Sequence, residues 1–214
     1  MNRRVLNRLA LALALACSVA FGVAQPALAA DEAADALIKR LSNEVLESIK
    51  ADTAIKAGDT SRIIALVDSK IMPNVNFQRM TASAVGPAWR QATPDQQKRL
   101  QDEFKTLLVR TYAGALSEVS EQVIVVKPLR AAAEDKEVVV RTEVKGHGEA
   151  IQLDYRLEKT PGQGNGWKIF NLNVLGIWLV ETYKSQFAQE ITSKGIDGLI
   201  STLAERNKAG AKKG

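Results

Sequence analysis

The spacing of hydrophobic residues changes near Ser120, and this change limits the folds open to the chain. Before Ser120, apolar residues recur every three or four positions, the period of a helix with one buried face. After it, apolar and polar residues alternate, which is typical of strands with one buried face. Helical spacing returns after residue 176. The order of helices, strands and helices therefore predicts an α+β domain.

Four segments have the composition of strands, and short turns join them. They are 122–127, 136–145, 149–159 and 167–175. Gly146-His147-Gly148 and the glycine-rich segment 160–166 have the residues expected of hairpin turns. We predict an antiparallel sheet of at least four strands in meander order, wrapped by helices, with one face on the core.

The helix with the clearest start begins at Thr93-Pro94-Asp95-Gln96. Thr is a good N-cap, Pro suits the first helical position, and Gln three residues after Thr completes a capping box. The other helices are predicted at 31–56, 60–72, 77–85, from near Ile177 to Gly195, and at 196–203.

The first 29 residues have the three parts of an export signal. Arg3, Arg4 and Arg8 form a basic start, an apolar stretch of about 16 residues follows, and Ala27-Leu28-Ala29 resembles a cleavage site. The apolar stretch is shorter than the ~20 residues that span a bilayer as a helix. We predict a cleaved signal peptide at 1–29, one domain at 30–207, a flexible basic tail at 208–214, and a periplasmic protein.

The charge and the rare residue types exclude several functions. Removal of the three signal arginines lowers the formal net charge from +5 to +2, and the remaining basic residues are interleaved with acids, so a nucleic-acid partner is not expected. Cys17 lies in the predicted signal, so the mature chain has neither thiol nor disulfide. His147 lies between two glycines, where an exposed turn residue is expected. A transition-metal site is therefore not expected.

Asp154 is the best candidate for a catalytic group. It lies on the polar side of its strand, where it is either part of a surface ion pair or a base in a pocket. Residue patterns alone leave the function of this exported α+β domain open.

Two segments carry a resemblance to a known family. The first, residues 77–116, reads FQRMTASAVGPAWRQATPDQQKRLQDEFKTLLVRTYAGAL, and the second, 166–203, reads GWKIFNLNVLGIWLVETYKSQFAQEITSKGIDGLISTL. The features that carry it include Gly86-x-x-Trp89-Arg90, Thr93-Pro94, Arg110-Thr111-Tyr112, Trp167-Lys168, Gly176, Tyr183-Lys184-Ser185-Gln186-Phe187 and Gly195-x-Asp197-Gly198-Leu199. These segments closely resemble the MlaC family, periplasmic phospholipid-binding proteins also described as toluene-tolerance auxiliary components of an ABC transporter.

The resemblance implies a curved sheet wrapped by helices, like the NTF2 cone, with an apolar cavity for the two acyl chains of a glycerophospholipid. It also implies that the protein shuttles lipid between an outer-membrane lipoprotein–porin complex and an inner-membrane ABC transporter carrying an MCE-domain ring. That traffic maintains the lipid asymmetry of the outer membrane. The expected protein is a monomer without catalytic residues, metal or cofactor, and its cargo is a phospholipid.

On this basis we predict which residues hold the lipid. The predicted cavity lining comes from the sheet and the flanking helices and consists of Phe77, Phe104, Leu107, Leu108, Val138, Val140, Leu153, Tyr155, Leu172, Val174, Ile177, Trp178, Leu179 and Tyr183. Arg90, Arg110 and Lys184 are predicted at the rim, near the headgroup.

The sequence departs from the family pattern at two positions. Asn171 stands where the family commonly has aspartate, and Trp178 where it has a serine that resembles a helix N-cap. Tryptophan cannot make the capping hydrogen bond, whose loss typically costs ~0.5–2 kcal/mol. We therefore expect Trp178 to contribute apolar contact at the lip or wall of the pocket.

Two other functions compete with the lipid carrier. One is an NTF2-like enzyme on an apolar substrate, with Asp154 or Tyr155 as acid or base. The other is a carrier of a different apolar molecule, such as a hopanoid or a solvent.

Overall fold

The predicted sheet is present and has five antiparallel strands in the order β1-β2-β3-β4-β5. The computed structural model describes residues 32–211, apart from residues 120, 133 and 147. The strands are β1 Val123–Val126, β2 Glu137–Lys145, β3 Ile151–Lys159, β4 Trp167–Val174 and β5 Ile177–Trp178. The α+β fold and the meander are thus confirmed, with one strand more than the four segments found in the sequence.

One face of this sheet is almost entirely apolar, and we call it the inner face. Paired residues of antiparallel strands point to the same side of a sheet, so the register places its side chains in five rows. The rows are Lys159–Trp167, Val138–Leu157–Ile169, Val140–Tyr155–Leu172, Val126–Thr142–Leu153–Val174–Ile177 and Ile124–Val144–Ile151. Arg141, Asp154 and Asn173 lie on the opposite face.

The described residues include six α-helices. They are α1 Ala34–Ala51, α2 Thr53–Lys56, α3 Thr60–Leu66, α4 Phe77–Val85, α5 Pro94–Ser117 and α6 Leu179–Ala211. A π-helical turn, Val67–Ile71, and a 3₁₀ turn, Met72–Asn74, follow α3. A second 3₁₀ turn, Gly86–Arg90, connects α4 to the segment before α5.

The single helix predicted at 31–56 is two helices, because Asp52 interrupts it. Asp52 has an extended backbone, and its carboxylate accepts hydrogen bonds from the N–H groups of Ala54 and Ile55. Asp residues favour this N-cap position, since their side chain replaces the backbone acceptor that the first turn lacks. Asp59 caps α3 in the same way.

The helix predicted to begin near Ile177 begins two residues later. Leu175 and Gly176 form a turn, and Ile177 and Trp178 pair with β4 as the short strand β5. The break predicted at Gly195 is confirmed: Gly195 has non-helical backbone angles, φ +69° and ψ −174°, and α6 consists of two helices that meet in a kink at this residue. α6 extends to Ala211, into the segment predicted as a tail.

Three apolar clusters hold the helices and the sheet together. The helical cluster joins α4, α5 and α6 and includes Met80, Leu100, Phe104, Phe187 and Leu203. The sheet cluster joins α1 to the inner face and includes Leu37, Ile38, Val138, Val140, Leu157 and Ile169. The third includes Ile49 of α1, Ile55, Ile63 and Val109 of α5.

The described residues, within 32–211, belong to one compact unit. The predicted signal peptide at 1–29 and His147 lie outside the described residues. Within residues 32–211 as described, no helix has the length and apolar character needed to cross a membrane.

The capping box predicted at the start of α5 gives the first test. Thr93 Oγ1 accepts from Gln96 N–H at 3.2 Å, and Gln96 Oε1 accepts from Thr93 N–H at 3.0 Å. We predict that Thr93→Ala lowers the free energy of unfolding by about 1 kcal/mol, measured by urea denaturation. Thr106→Ala, inside α5, is the control and is expected to be neutral or slightly stabilising, because alanine is the better helix former. Equal losses in both variants would contradict the capping role.

Candidate functional site

The inner face of the sheet is covered at one end and accessible at the other. Leu157, in the second row, is 0% exposed, whereas Ile151 in the last row is 45% exposed and Ile177 is 57% exposed. Val138, Leu157 and Ile169 are buried under α1 as part of the sheet cluster. Side chains between these ends, including Tyr155, Leu172 and Leu153, are partly accessible. The inner face therefore has a closed end and an open mouth.

The long helix α5 does not close this face. It packs mainly on α6, α3 and α4. Among the described residues, no strand is a main packing partner of α5. Leu107, Leu108 and Tyr112 pack against the helical cluster and are still partly accessible. Leu172 and Val174 of the inner face contact the same cluster. Apolar side chains from α5 and from the sheet thus meet at the helical cluster, and each keeps part of its surface accessible.

Tyr155 lies in the middle of the inner face. Burial raises its pKa to about 12, although hydrogen bonds with Ser42 and Thr142 lower it. Its side chain nevertheless keeps part of its accessible surface. The hydroxyl is satisfied by neighbours, so this apolar face accommodates it without an unpaired polar group.

The predicted cavity lining is divided between two clusters. Phe77, Phe104, Leu107, Leu108, Leu172, Val174, Leu179 and Tyr183 belong to or pack on the helical cluster, whereas Val138, Val140 and Tyr155 belong to or pack on the sheet cluster. Leu153 lies between them on the inner face. Phe104 has no exposed surface, and its ring centroid is 4.9 Å from that of Tyr183 and 5.2 Å from that of Phe187. Phe104 therefore acts as a packing centre of the helices.

Trp178 differs most from its predicted place. It pairs with Asn173, so its side chain lies on the face opposite Leu172 and Val174. The Arg156 guanidinium lies over its ring, 4.0 Å from the centroid, in a cation–π contact. Ile177, its neighbour, lies on the inner face at the mouth. The structure thus brings Ile177 but not Trp178 to the inner face.

Asn171 supplies the helix cap that Trp178 cannot. Its Oδ1 accepts a hydrogen bond from the N–H of Val180, in the first turn of α6, at 3.1 Å. Its Nδ2 donates to Glu181 Oε2 at 2.8 Å, and Arg156 also donates to Glu181. The expected loss of a cap is therefore compensated by a residue on β4. No local sequence signal identifies such a cap, because it depends on β4 lying beside the start of α6.

Asp154 is buried on the opposite face and forms no ion pair among the described residues. One carboxylate oxygen accepts from Gln152 Nε2 at 2.6 Å, and the other lies 3.4 Å from the N–H of Thr142. The expected surface ion pair is therefore wrong. Because Tyr155 lies on the inner face, these two residues cannot act together in one pocket.

The three predicted rim cations lie in two places. Arg90 and Lys184 line a groove of about 420 Å³ with Arg79, Ser83 and Trp89. Arg79 is held by Glu137 and Glu158 at 2.6 and 2.5 Å, whereas Arg90 and Lys184 form no ion pair among the described residues. The groove lies on the side of α4 opposite the buried Met80 and Ala84.

Arg110 lies on α5 beside Gly210 of α6. Its Nε is buried and has no hydrogen-bond partner within the described part of the chain. It is thus separate from the groove. Among the described residues, no group of three or more His, Cys, Asp or Glu side chains is placed to hold a metal ion.

A second pocket, of about 300 Å³, lies between α1 and β1. Asn43, Leu46, Glu47, Lys50, Gln122, Val123 and Ile124 line it. Of these, only Ile124 belongs to the inner face.

The cap from Asn171 leads to a prediction about the stability of the α6 start. Asn171→Ala removes a buried acceptor and a buried donor, so we expect the free energy of unfolding to fall by about 1–2 kcal/mol. Asn171→Asp keeps the acceptor for Val180 but places a second carboxylate beside Glu181. The two carboxylates repel each other, so this variant should also lose stability. The loss should become smaller on mild acidification, because one carboxyl group then gains a proton and can donate a hydrogen bond to the other. Urea denaturation at neutral and acidic pH measures both, and an Asn171→Asp loss that is unchanged by pH would contradict this geometry.

The hydrogen bonds that Glu181 accepts lead to a prediction about how stability depends on pH. Burial would raise the pKa of its carboxyl, but the hydrogen bonds from Asn171 and Arg156 outweigh burial and hold the pKa below its ordinary value of 4.5. The ionised form is therefore favoured in the folded state. Its contribution to stability is complete above the ordinary pKa and is lost as the pH falls through the lowered one. Glu181→Gln should flatten the acid side of the stability profile measured by thermal unfolding. Glu205→Gln, at an exposed position on α6, should leave the profile unchanged.

Known proteins resemble this chain in both sequence and fold. Residues 39–205 match the model of the family described as MlaC protein. Toluene tolerance protein ttg2D of Pseudomonas putida is 28% identical over 181 residues, which are 81% of this chain and 82% of that protein. The intermembrane phospholipid transport system binding protein MlaC of Haemophilus influenzae is 20% identical over 170 residues, 79% of each chain.

A solved structure provides the comparison in three dimensions. It is that of the phospholipid-binding protein from Ralstonia solanacearum in complex with a phospholipid, which is 48% identical and has a TM-score of 0.81. The alignment covers 84% of this chain and 99% of that one. Because the family match extends over most of the chain, and the half-open apolar sheet belongs to a fold shared with this relative, the chain belongs to the MlaC family.

Proposed function

We propose that this protein is a periplasmic phospholipid carrier that holds both acyl chains between the inner face of the sheet and α5. The observation that carries the proposal is the gradient along the inner face, from buried Leu157 to exposed Ile151 and Ile177. An apolar face that is left partly accessible needs an apolar cover, and a pair of acyl chains provides one. The headgroup would remain at the open mouth, near solvent.

The energetics favour such an arrangement. A diacyl lipid has about 30 methylenes, and burial of each is worth ~0.8 kcal/mol. A carrier must therefore enclose both chains if the lipid is to leave a bilayer. The walls must be apolar, since unpaired polar groups facing acyl chains cost free energy. On the inner face, the polar groups of Thr142 and Tyr155 are hydrogen-bonded.

The relatives support the cargo and the setting. The Ralstonia relative was solved with a phospholipid, and the Haemophilus relative is named as the binding protein of an intermembrane phospholipid transport system. We infer that this chain acts as a monomer in the periplasm. It would exchange lipid with an outer-membrane lipoprotein–porin complex and with an inner-membrane ABC transporter that carries an MCE-domain ring.

The proposed acyl-chain wall is narrower than the lining predicted from sequence. It consists of the partly accessible side chains Leu107, Leu108, Tyr112, Leu153, Tyr155, Leu172 and Val174, with Ile177 at the mouth. Val138, Val140, Phe104 and Leu179 support this wall from buried positions. The headgroup contacts of Arg90, Arg110 and Lys184 stay a prediction, which Arg90→Ala and Lys184→Ala can test.

The geometry favours a carrier over an enzyme. The two candidate acid–base residues, Asp154 and Tyr155, point to opposite faces of the sheet. Both oxygens of Asp154 face donors on its own and the neighbouring strand. Tyr155, with a pKa raised to about 12, is a neutral phenol at physiological pH. Neither group is poised to transfer a proton to a ligand on the inner face.

A lipid-extraction experiment tests this proposal. The purified protein is extracted with organic solvent, and mass spectrometry should find about one glycerophospholipid per chain. We predict that Leu153→Glu and Leu107→Glu each lower this content at least tenfold, because a carboxylate facing acyl chains is not solvated. Val139→Glu is the matched control, since Val139 is also half-buried in the sheet but lies on the opposite face, paired with Arg156.

Three results would decide against the proposal. A wild-type protein that is empty and cannot be loaded from vesicles would contradict it. Stoichiometric hopanoid or another apolar molecule would identify a different cargo. Full lipid content in both glutamate variants, with circular dichroism confirming their fold, would mean that the wall lies elsewhere.

A further inference from the structure

The turn between β4 and β5 has an unusual residue in an unusual conformation. Leu175 has φ +53° and Gly176 has φ +85°. Positive φ at both positions of a two-residue hairpin loop defines a turn that strongly favours Asn-Gly or Asp-Gly. A large side chain is disfavoured in this left-handed region, because its Cβ approaches the following carbonyl. Leu175 is the only non-glycine residue with positive φ in the described part of the chain.

Leu175 is also 64% exposed, although leucine is usually buried. Two other exposed apolar residues lie at the same end of the sheet: Ile177 on β5, 57% exposed, and Ile151 on β3, 45% exposed. The N–H of Leu175 donates to the carbonyl of Gln152 at 3.0 Å and fixes the turn beside β3. Of the described residues, only Val123 is a further large hydrophobic residue with comparable exposure. We name Ile151, Leu175 and Ile177 the apolar lip.

The apolar lip continues the inner face. Ile177 ends the row Leu153–Val174–Ile177, and Ile151 ends the row beside it. A side chain or acyl chain that moves along these rows thus reaches the lip without crossing a polar region. Leu175 therefore has an unfavourable backbone conformation and an unfavourably exposed apolar side chain, both at the mouth of the proposed lipid site. Such conflicts with local preference are expected at functional positions.

No ionisable residue occurs in the segments that carry the lip, 150–153 and 174–178. This composition suits entry into an apolar phase, where a charge would be costly. Exposed apolar patches of a few hundred Å² on monomers are often functional. A stable protein interface buries about 800 Å² on each partner, more than three side chains offer. A lipid surface requires no such area and no complementary shape.

We propose that the apolar lip enters the acyl region at the surface of a lipid bilayer while lipid is exchanged, so that acyl chains pass between bilayer and carrier without contacting water. This inference rests on the proposed carrier function. It assigns Leu175 a role in the rate of transfer and not in the amount of lipid held.

Leu175→Asn separates this role from a structural one. Asparagine tolerates the left-handed conformation and restores the Asn-Gly sequence that this turn favours. The variant should therefore fold at least as stably as the wild type while lacking the exposed apolar side chain. Leu175→Met keeps an apolar side chain and should retain transfer. Val123→Thr removes an exposed apolar side chain from the edge strand β1, on the face opposite the lip, and is the matched control.

Transfer is measured with the full chain and vesicles of phosphatidylethanolamine and phosphatidylglycerol that carry a trace of fluorescent phospholipid. We expect Leu175→Asn to slow uptake and release about fivefold or more, where fivefold corresponds to ~1 kcal/mol. Its lipid content by mass spectrometry and its thermal stability should not decrease. Leu175→Met and Val123→Thr should behave as the wild type.

Two outcomes overturn the inference in different ways. If Leu175→Asn holds lipid and exchanges it at the wild-type rate, the lip does not act on bilayers. The proposed carrier function is then unaffected, and the result favours a protein partner that binds the lip. If the wild type neither takes up nor contains lipid, the carrier function and the lip both fail.

Discussion

An apolar sheet face that is buried at one end and accessible at the other is the constraint on which the rest of the structure depends. The rows near Leu157 are buried by α1, whereas the rows near Ile151 are not. A folded protein normally covers such a face with its own helices, because burial of apolar surface drives folding. Here α5 packs on other helices. The helices α4, α5 and α6 therefore pack mainly on one another, and the far end of the sheet face stays accessible.

The helical cluster holds these helices together. Phe104 packs edge-to-face against Tyr183 and Phe187, contacts that add to the burial of apolar area. Leu172 and Val174 of the sheet also pack on this cluster. The start of α6 is fixed to β4 by Asn171, whose side chain bonds both Val180 and Glu181. The helices are therefore joined to the sheet through β4.

Sequence reasoning succeeded where local physics decides the structure. The α+β order, the strand alternation and the capping box of α5 were all predicted, because periodicity and capping depend on residues close together in the chain. It failed at residues 177 and 178, which local pattern assigned to the start of a helix but which form the short strand β5. Two residues are too few for a periodic signal, and only pairing with β4 makes them a strand.

The sequence by itself determined the layers of this protein and the apolar character of one sheet face, since these follow from the spacing of apolar residues. The resemblance to the family was carried by specific motifs, such as Gly86-x-x-Trp89-Arg90. Only the tertiary structure decided which way each side chain of the last turn points. A register change of one residue moves a side chain to the other face of a sheet, so the two-residue turn at Leu175 places Ile177 on the inner face and Trp178 on the opposite one. The cap from Asn171 likewise exists only because β4 and α6 meet in space.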